Sequence, residues 1–528
     1  MAGATTTAAM PAAPMNPADD RINPRRLLAF VFMVFGMFMS ILDIQIVSAS
    51  LSEIQAGLSA SSEEISWIQT SYLIAEVIAI PFSGYMSRAL GTRNLFAISA
   101  AGFTAASLMC GFSQTIGQLI FWRVIQGFVG AGMIPTVFAA AYSAFPRSKF
   151  HIVGPVIGLV ATLAPTIGPT IGGHLTDAFS WHWLFFINII PGIVVTIGAL
   201  ALIDFDEPNY GLLNRLDWWG LASMAGFLGS LEYVLEEGPK NDWFEDDFIV
   251  SFTIVMLVSA VVFFYRVFTV REPIVDLRAF KDRNFALGCT FQFCTGIGLY
   301  GLTYLFPIYL AQVRGYNSLM IGNTLFVTGV AQFLFSPLLG QLLRRVDLRL
   351  LMFIGLLLFA LGTWQMTWLT RDFDFWELFL PQVLRAFGLM LVMVPANNIA
   401  LGTLPPELMK NASGLFNLNR NLGGAVGLAV INTVLNMRTD LHLARLHEAV
   451  TWGNVTAVET LNNLAQKFEG TGDAQLKAMK QLMQIVHRQA VVMSFADVFV
   501  TLTIGYLFLA GLLLFVRKVD IMQQPAGR

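Results

Sequence analysis

The chain has 528 residues, of which 55% are hydrophobic and 12% charged, with a formal net charge of −2 and a mean hydropathy of +0.65. So much apolar surface exceeds what one water-soluble core can hide, which makes the lipid bilayer the natural solvent. Near-neutral charge and dispersed basic residues remove the electrostatic case for nucleic-acid binding, and three cysteines inside apolar runs (Cys110, Cys289, Cys294) argue against a disulfide framework or metal knuckle.

Residues 1–20 are rich in Ala, Thr and Pro, and no basic residue precedes Arg21, so the charged start and short apolar core of a signal peptide are missing. Residues 1–24 read as a disordered cytoplasmic tail. Apolar runs of about 20 residues, enough for ~30 Å of hydrocarbon, then recur along the chain. Fourteen are expected: 27–51, 65–86, 94–113, 116–142, 151–174, 184–204, 217–237, 248–270, 286–310, 319–343, 351–370, 377–403, 413–436 and 491–516. Basic residues gather in alternate connections: Arg25 and Arg26, Arg88 and Arg93, Arg147 and Lys149, Arg271 to Arg283, Arg344 to Arg349, and Arg517 with Lys518. The positive-inside rule then puts both termini in the cytoplasm.

Asp43 lies in the first run, about 24 Å from its cytoplasmic end at 1.5 Å per residue. An ionisable group at that depth costs several kcal/mol and is kept where it pairs, binds a charged solute or carries a proton. Arg123, in the inward-running fourth run, lies roughly 10 Å from the outer end, so the two nearly share a level. Their approach and separation could load and unload a proton, and a permanent structural pair is the alternative. Glu76 lies near the midplane between Ile74, Ala75, Val77 and Ile78. It is a second candidate for the proton or for a cationic substrate, against a neutral glutamate bonded to a neighbouring helix. Glu232, near the outer boundary of the seventh run, and Asp497, opening the last, are expected in interfacial water. Arg420 is expected nearer the cytoplasmic side in a structural pair.

The sequence 168–173, Gly-Pro-Thr-Ile-Gly-Gly, strips side chains and one backbone donor from the fifth run, allowing close helix approach and bending. Between the last two runs, 437–489 is a polar outer stretch of some fifty residues. Its amphipathic pieces 441–446 and 476–483 suggest helices beside the membrane or against a partner, with partner docking and a solvated linker equally compatible.

The turn from Gly84 to Arg93 after the second run is repeated in style from Gly340 to Arg349 after the tenth. Arg123 and Arg385 occupy matching places in the fourth and twelfth runs, each followed by glycine and proline. The chain thus divides into a first six-helix bundle (25–204), a linker with an inserted helical hairpin (205–270), a second six-helix bundle (271–519) containing the outer loop 437–489, and a cytoplasmic tail (520–528). Tandem halves around a central site are a transporter design that works by rocking one half against the other. The phosphate-cradling Gly-x-x-x-x-Gly-Lys-Ser/Thr loop does not occur, so an ion gradient, about 2.3 kcal/mol per charge at 100 mV, must supply the energy. Six scattered histidines argue against a membrane enzyme. The 44 phenylalanines and 22 methionines suit an apolar cavity for loosely specified hydrophobic compounds.

Several motifs stand in one order: Leu42-Asp43-Ile44-Gln45-Ile46-Val47, Trp67 to Tyr72, Arg123-Val124-Ile125-Gln126-Gly127, Gly168 to Gly173, Trp181 to Asn188, and Ala412 to Gly424. On these residues, over about 25–519, the chain resembles the fourteen-helix EmrB/QacA drug:proton antiporters of the major facilitator superfamily, and their EmrB branch most. The resemblance implies an all-α polytopic membrane protein of the bacterial inner membrane, exporting hydrophobic drugs by proton-coupled alternating access without a metal or cofactor. An uptake symporter or uniporter on the same fold is the alternative. It implies proton coupling by Asp43, Glu76 and Arg123, and substrate contacts from Asp43, Glu76, Gln126, Asn188 and Asn417. Gating or structural positions would be Gly84, Arg88, Gly91, Arg93, Gly168, Pro169, Gly172, Gly173, Arg385 and Arg420, with the 168–173 run at the contact between halves. Its partners would be an EmrA-like periplasmic adaptor and a TolC-like outer-membrane channel. The chain departs from the pattern at Ser87, where the superfamily often has aspartate, and at Gln45, where threonine is common.

Overall fold

The computed structural model describes residues 23–468 and 473–513, so the expected tails and the Arg517–Lys518 pair lie outside the described residues. Helix α1 (Pro24–Ala49) starts where the Asn23 side chain accepts the Arg25 N–H and Pro24 needs no donor. After the short α2 (Leu51–Leu58), a reciprocal capping box between Ser61 and Glu64 opens α3 (Ser62–Gly111). Two expected runs share α3. At Gly91 the backbone takes φ 78°, ψ 160°, a conformation open only to glycine, and the fifty residues become two rods meeting at a corner. Arg88 and Arg93 sit at this corner, and we call its end of the molecule the basic face.

Helices α4 (Ile116–Gly130) and α5 (Met133–Ala144) form one crossing. Then follow α6 (Phe150–Ala178), which contains three prolines, and α7 (Trp183–Phe186) with α8 (Ile189–Leu202), which complete the first bundle. The inserted hairpin is α9 (Trp218–Glu237) and α10 (Asp247–Thr269). The second bundle comprises α11 (Arg283–Tyr309), α12 (Ser318–Arg345), α13 (Leu348–Gln365), α14 (Phe375–Leu401), α15 (Pro406–Ala449) and α17 (Ala474–Leu512), with α16 (Val455–Lys467) between the last two. Eleven helices among the described residues are long and apolar enough to cross a membrane, one of them the 48-residue Glu64–Gly111. The expected seventh and thirteenth runs, on α9 and α15, fall outside that set because glutamates, asparagines and Arg420 dilute their apolar character.

Residue exposure follows the bilayer logic. Helix α10 buries only Ile249 and Phe263, leaving an apolar outer face of the kind lipid covers. Helix α14 is enclosed along almost its whole second half. The bundles meet on two seams. On one, α6 lies against α12: Thr170 Oγ1 donates to the Gly322 carbonyl (2.7 Å), and a side chain at Gly340 would meet the His151 carbonyl. On the other, α3 meets α15, with Gly84 against the Lys410 carbonyl and Gly414 against that of Ile80. The α9–α10 hairpin straddles this second seam. Tyr233 stacks on Trp67 of α3 (5.7 Å), Thr70 bonds Glu237 (3.3 Å), and Trp243 donates to Thr433 of α15 (3.0 Å).

The stretch 437–489 is largely helical. Helix α15 runs thirteen residues past the expected end at 436, and α17 starts seventeen before the expected 491. With α16 they pack Leu464, Ala478 and Leu482 into a small apolar core of their own.

Candidate functional site

Asp43 on α1 and Arg123 on α4, which helix arithmetic puts at one depth, are bonded: Arg123 Nη1 lies 2.6 Å from Asp43 Oδ2, and both side chains have zero exposure. The other carboxylate oxygen accepts from Asn188 Nδ2 at 2.7 Å and from Gln126 Nε2 at 3.1 Å. Asn188 also reaches Ser107 (3.1 Å), whose hydroxyl donates to the Phe185 carbonyl, so helices α1, α3, α4 and the α7–α8 break meet on one acid. Arg123 donates further to the Gln126 side chain (2.9 Å) and the Ile68 carbonyl (3.3 Å), and lies 4.1 Å above the Tyr72 ring. Its Nη2 has no partner. A buried carboxylate with three donors is matched as an anion; with its guanidinium withdrawn, the same acid would be neutralised at less cost than left charged. Gln126 and Asn188, expected as substrate contacts, are here spent on orienting Asp43.

Small residues make this arrangement possible. Gly127 presses on α3, and Gly168 and Gly172 press on α1 beside Gln45 and Ile46. The last two correct an expectation. These glycines close α6 onto α1 within the first bundle, and it is Thr170, on the opposite side of the same run, that touches the second bundle at Gly322. Pro169 and Gly173 are buried in the same helix.

Glu76 is 1% exposed and its Oε1 has no partner. No salt bridge reaches it among the described residues, and Arg420 exerts the strongest opposite charge on it. Arg420 departs from expectation twice. It lies fourteen residues into α15, about 21 Å along the helix and so at mid-depth, and among the described residues no carboxylate bonds it, its Nε and Nη1 being without partners. Glu232 also departs from its expected place in interfacial water. It is 3% exposed, with an unpartnered Oε2, within electrostatic range of Glu76. Its burial follows from the hairpin's position across the seam, which one sequence does not reveal. Asp497 is half-sheltered and bonded to Arg438 (3.1 Å) and His442 (2.8 Å). Asn417 is fully buried on α15, its amide nitrogen committed to its own helix through Ser413 and its Oδ1 free; no bond joins it to the Asp43 cluster. Arg385, the counterpart of Arg123, stacks on Phe306 at 4.2 Å without a carboxylate.

At the basic face, Arg93 bonds the Ile203 carbonyl and Asp204, and Arg88 stands 3.8 Å from Glu272. Where Ser87 replaces the usual aspartate, its backbone carbonyl accepts from Lys410 Nζ at 3.0 Å, and Lys410 also pairs with Asp206. Tyr142 of the first bundle also donates to Asn398 of the second (2.9 Å), adding to the polar clamp between the bundles, while Asn411 donates to the Asp276 carbonyl (2.6 Å) within the second. Lys410 and Asp206 are 204 residues apart and follow no motif spacing, so sequence reasoning missed the pair.

Residues 33–428 match the family model of the Major Facilitator Superfamily. The chain is 43% identical over 490 residues to the colistin resistance protein EmrB of Acinetobacter baumannii, covering 93% of this chain and 96% of that one. It is 31% identical to the multidrug export protein EmrB of Escherichia coli K12 (92% and 94% covered) and 29% identical to the fatty acid resistance protein FarB of Neisseria gonorrhoeae (94% and 95%). Among solved structures, the human organic anion transporter MFSD10 matches at TM-score 0.57 and 14% identity (92% and 100% covered), and the proton:xylose symporter XylE at TM-score 0.57 and 12% identity (94% and 97%). Those two share the fold. The family match over most of the chain, with relatives aligned end to end, makes this protein a member of the major facilitator superfamily and of its EmrB-type multidrug transporter family.

Proposed function

We propose that the protein is a proton-coupled antiporter that exports hydrophobic compounds across the bacterial inner membrane by alternating access. In this reading it crosses the membrane fourteen times: the eleven helices above, the second rod of α3, α9 and α15. The basic face and both termini are cytoplasmic. The observation that carries the proposal is the fully buried Asp43–Arg123 pair with its oriented amides. With the pair closed, Asp43 is a satisfied carboxylate. A shift of α4 against α1 inside the first bundle, coupled to the rocking of the halves, parts the pair, the unpaired acid takes a proton from one side, and return of Arg123 expels it to the other. Substrate and proton then use the seam in opposite phases, with the partnerless Glu76 meeting the cationic ones. Relatives named for multidrug export and for colistin and fatty acid resistance support a hydrophobic substrate range. Efflux in inverted vesicles under an imposed pH gradient tests the reading; substrate movement in the same direction as protons would support uptake symport instead.

We further propose that the helical stretch above the membrane docks a periplasmic adaptor that passes substrate to an outer-membrane channel. Helices α15, α16 and α17 frame a groove of about 270 Å³ lined by Val450, Trp452, Leu461, Met479, Leu482 and Met483, and Trp452 is 80% exposed. An open apolar groove beyond the bilayer is costly in water and fits an amphipathic helix of such a partner.

A further inference from the structure

We infer that the second bundle holds an anion site in which Arg385 on α14 and the amide of Gln332 on α12 bind a carboxylate or another small monovalent anion at the seam between halves. Arg385 is 8% exposed, its Nε and Nη1 have no hydrogen-bond partner, and no ion pair reaches it among the described residues. Gln332 is fully buried with both amide atoms unpartnered. The two side chains border one cavity, whose wall includes Thr166 from the first bundle, so the site is closed by both halves. Its free space, about 30 Å³, exceeds the ~10–15 Å³ that one water occupies and admits a chloride or a carboxylate group, though no whole drug.

The donor set selects the charge. Among the hydroxyls around the cavity, Thr328 donates to Gln382, Thr166 to the Thr162 carbonyl and Thr303 to the Leu299 carbonyl. What remains free is the guanidinium, which offers only N–H groups, and the Gln332 amide, which offers N–H groups beside one acceptor oxygen. A lone buried guanidinium is strongly destabilising and requires a counter-charge. In the first bundle Asp43 on α1 supplies it to Arg123. Helix α11, the counterpart of α1, has no acidic residue, and the charge must therefore come from a solute. A fork of two guanidinium N–H groups suits the two oxygens of a carboxylate, and a halide satisfies the same donors singly. Binding here needs no proton gradient, so the inference stands or falls separately from antiport.

The test uses the purified full chain in lipid nanodiscs, with thermal unfolding followed in a buffer free of small anions while hexanoate, its neutral isostere hexanamide, or chloride is added. Hexanoate should raise Tm in a saturable manner and hexanamide should not. Arg385→Gln removes an uncompensated charge, so it should fold with a Tm at or above that of the unmodified protein in the anion-free buffer, yet lose the response to hexanoate. Arg385→Lys and Gln332→Leu should raise the half-saturating concentration by about tenfold or more. A response to chloride with none to hexanoate would support the site and assign it to an inorganic anion. Absence of any anion response, an equal response to hexanamide, or a full response in Arg385→Gln would overturn the inference.

Discussion

A Cβ placed on Gly127 would stand 2.5 Å from the carbonyl oxygen of Tyr72, so α4 touches the backbone of α3 one turn beyond Arg123, beneath whose guanidinium the Tyr72 ring lies. Backbone cannot yield as a side-chain end can. Gly127→Ala must therefore move α4 and tilt Arg123 away from Asp43, with an overpacking cost of about 1–3 kcal/mol. The variant should unfold at lower temperature and show weakened gradient-driven efflux. Wild-type stability and transport together would contradict this close contact.

Glu76 has an unpartnered oxygen at the seam, where a cationic substrate would meet it. Glu76→Gln should weaken efflux of lipophilic cations by roughly tenfold while neutral compounds change little, since a desolvated charge partner is lost for the cations alone. Parallel transport assays of the two classes decide. An equal loss in both would assign Glu76 to general coupling or structure.

How much of this site could be read from sequence depended on whether the information lay within one helix or between helices. Asp43 and Arg123 were legible because depth follows from counting residues at a fixed rise, and two charges at one depth in apolar helices must be reconciled. Glu232 and Arg420 were misplaced because burial depends on which helix lies alongside. Nothing in the α9 sequence says that it straddles the seam between α3 and α15. The glycines of 168–173 were legible as a close-approach surface, but the partner of each face was not: one side meets α1, the other α12. The corner at Gly91 follows from a single positive φ inside an otherwise continuous helical run. In 437–489 the amphipathic pieces were visible, whereas the continuation of α15 and α17 beyond their apolar runs was hidden by the drop in hydropathy at their polar ends.

Asp374, just outside α14 on the face opposite the basic one, accepts from Tyr316, from the Phe375 N–H and from Arg314 (3.0 Å). The hydrogen bond from Tyr316, then that from the Phe375 amide, hold its carboxyl below the ordinary value of 3.8. A folded-state value below the unfolded one means the support is complete above pH 3.8 and fades as pH falls through the folded value. Asp374→Asn should lower Tm near neutral pH, and the difference from wild type should shrink on acidification below 3.8. A difference that grows on acidification would refute the assignment.

The helical stretch 437–489, proposed to dock an adaptor, can be altered without touching the proposed transport path. Replacing Trp452 by Asp, or shortening 450–483 to a brief polar turn, should leave efflux in vesicles intact while abolishing resistance in cells and co-purification of a periplasmic adaptor. Retained capture of the adaptor at wild-type levels would move docking to the membrane helices.

The proposed antiport depends on Asp43 as the proton carrier. Its most direct test is purified protein in proteoliposomes with a pH-sensitive dye inside, in which addition of a transported drug is followed by proton flux. Wild type should move protons opposite to the drug. Asp43→Asn, folded and still able to bind drug, should exchange drug across the membrane down its own gradient with proton movement reduced by at least about a hundredfold, the loss expected when the only carrier of the proton is removed. Drug-driven proton flux at the wild-type rate in Asp43→Asn would contradict the central claim.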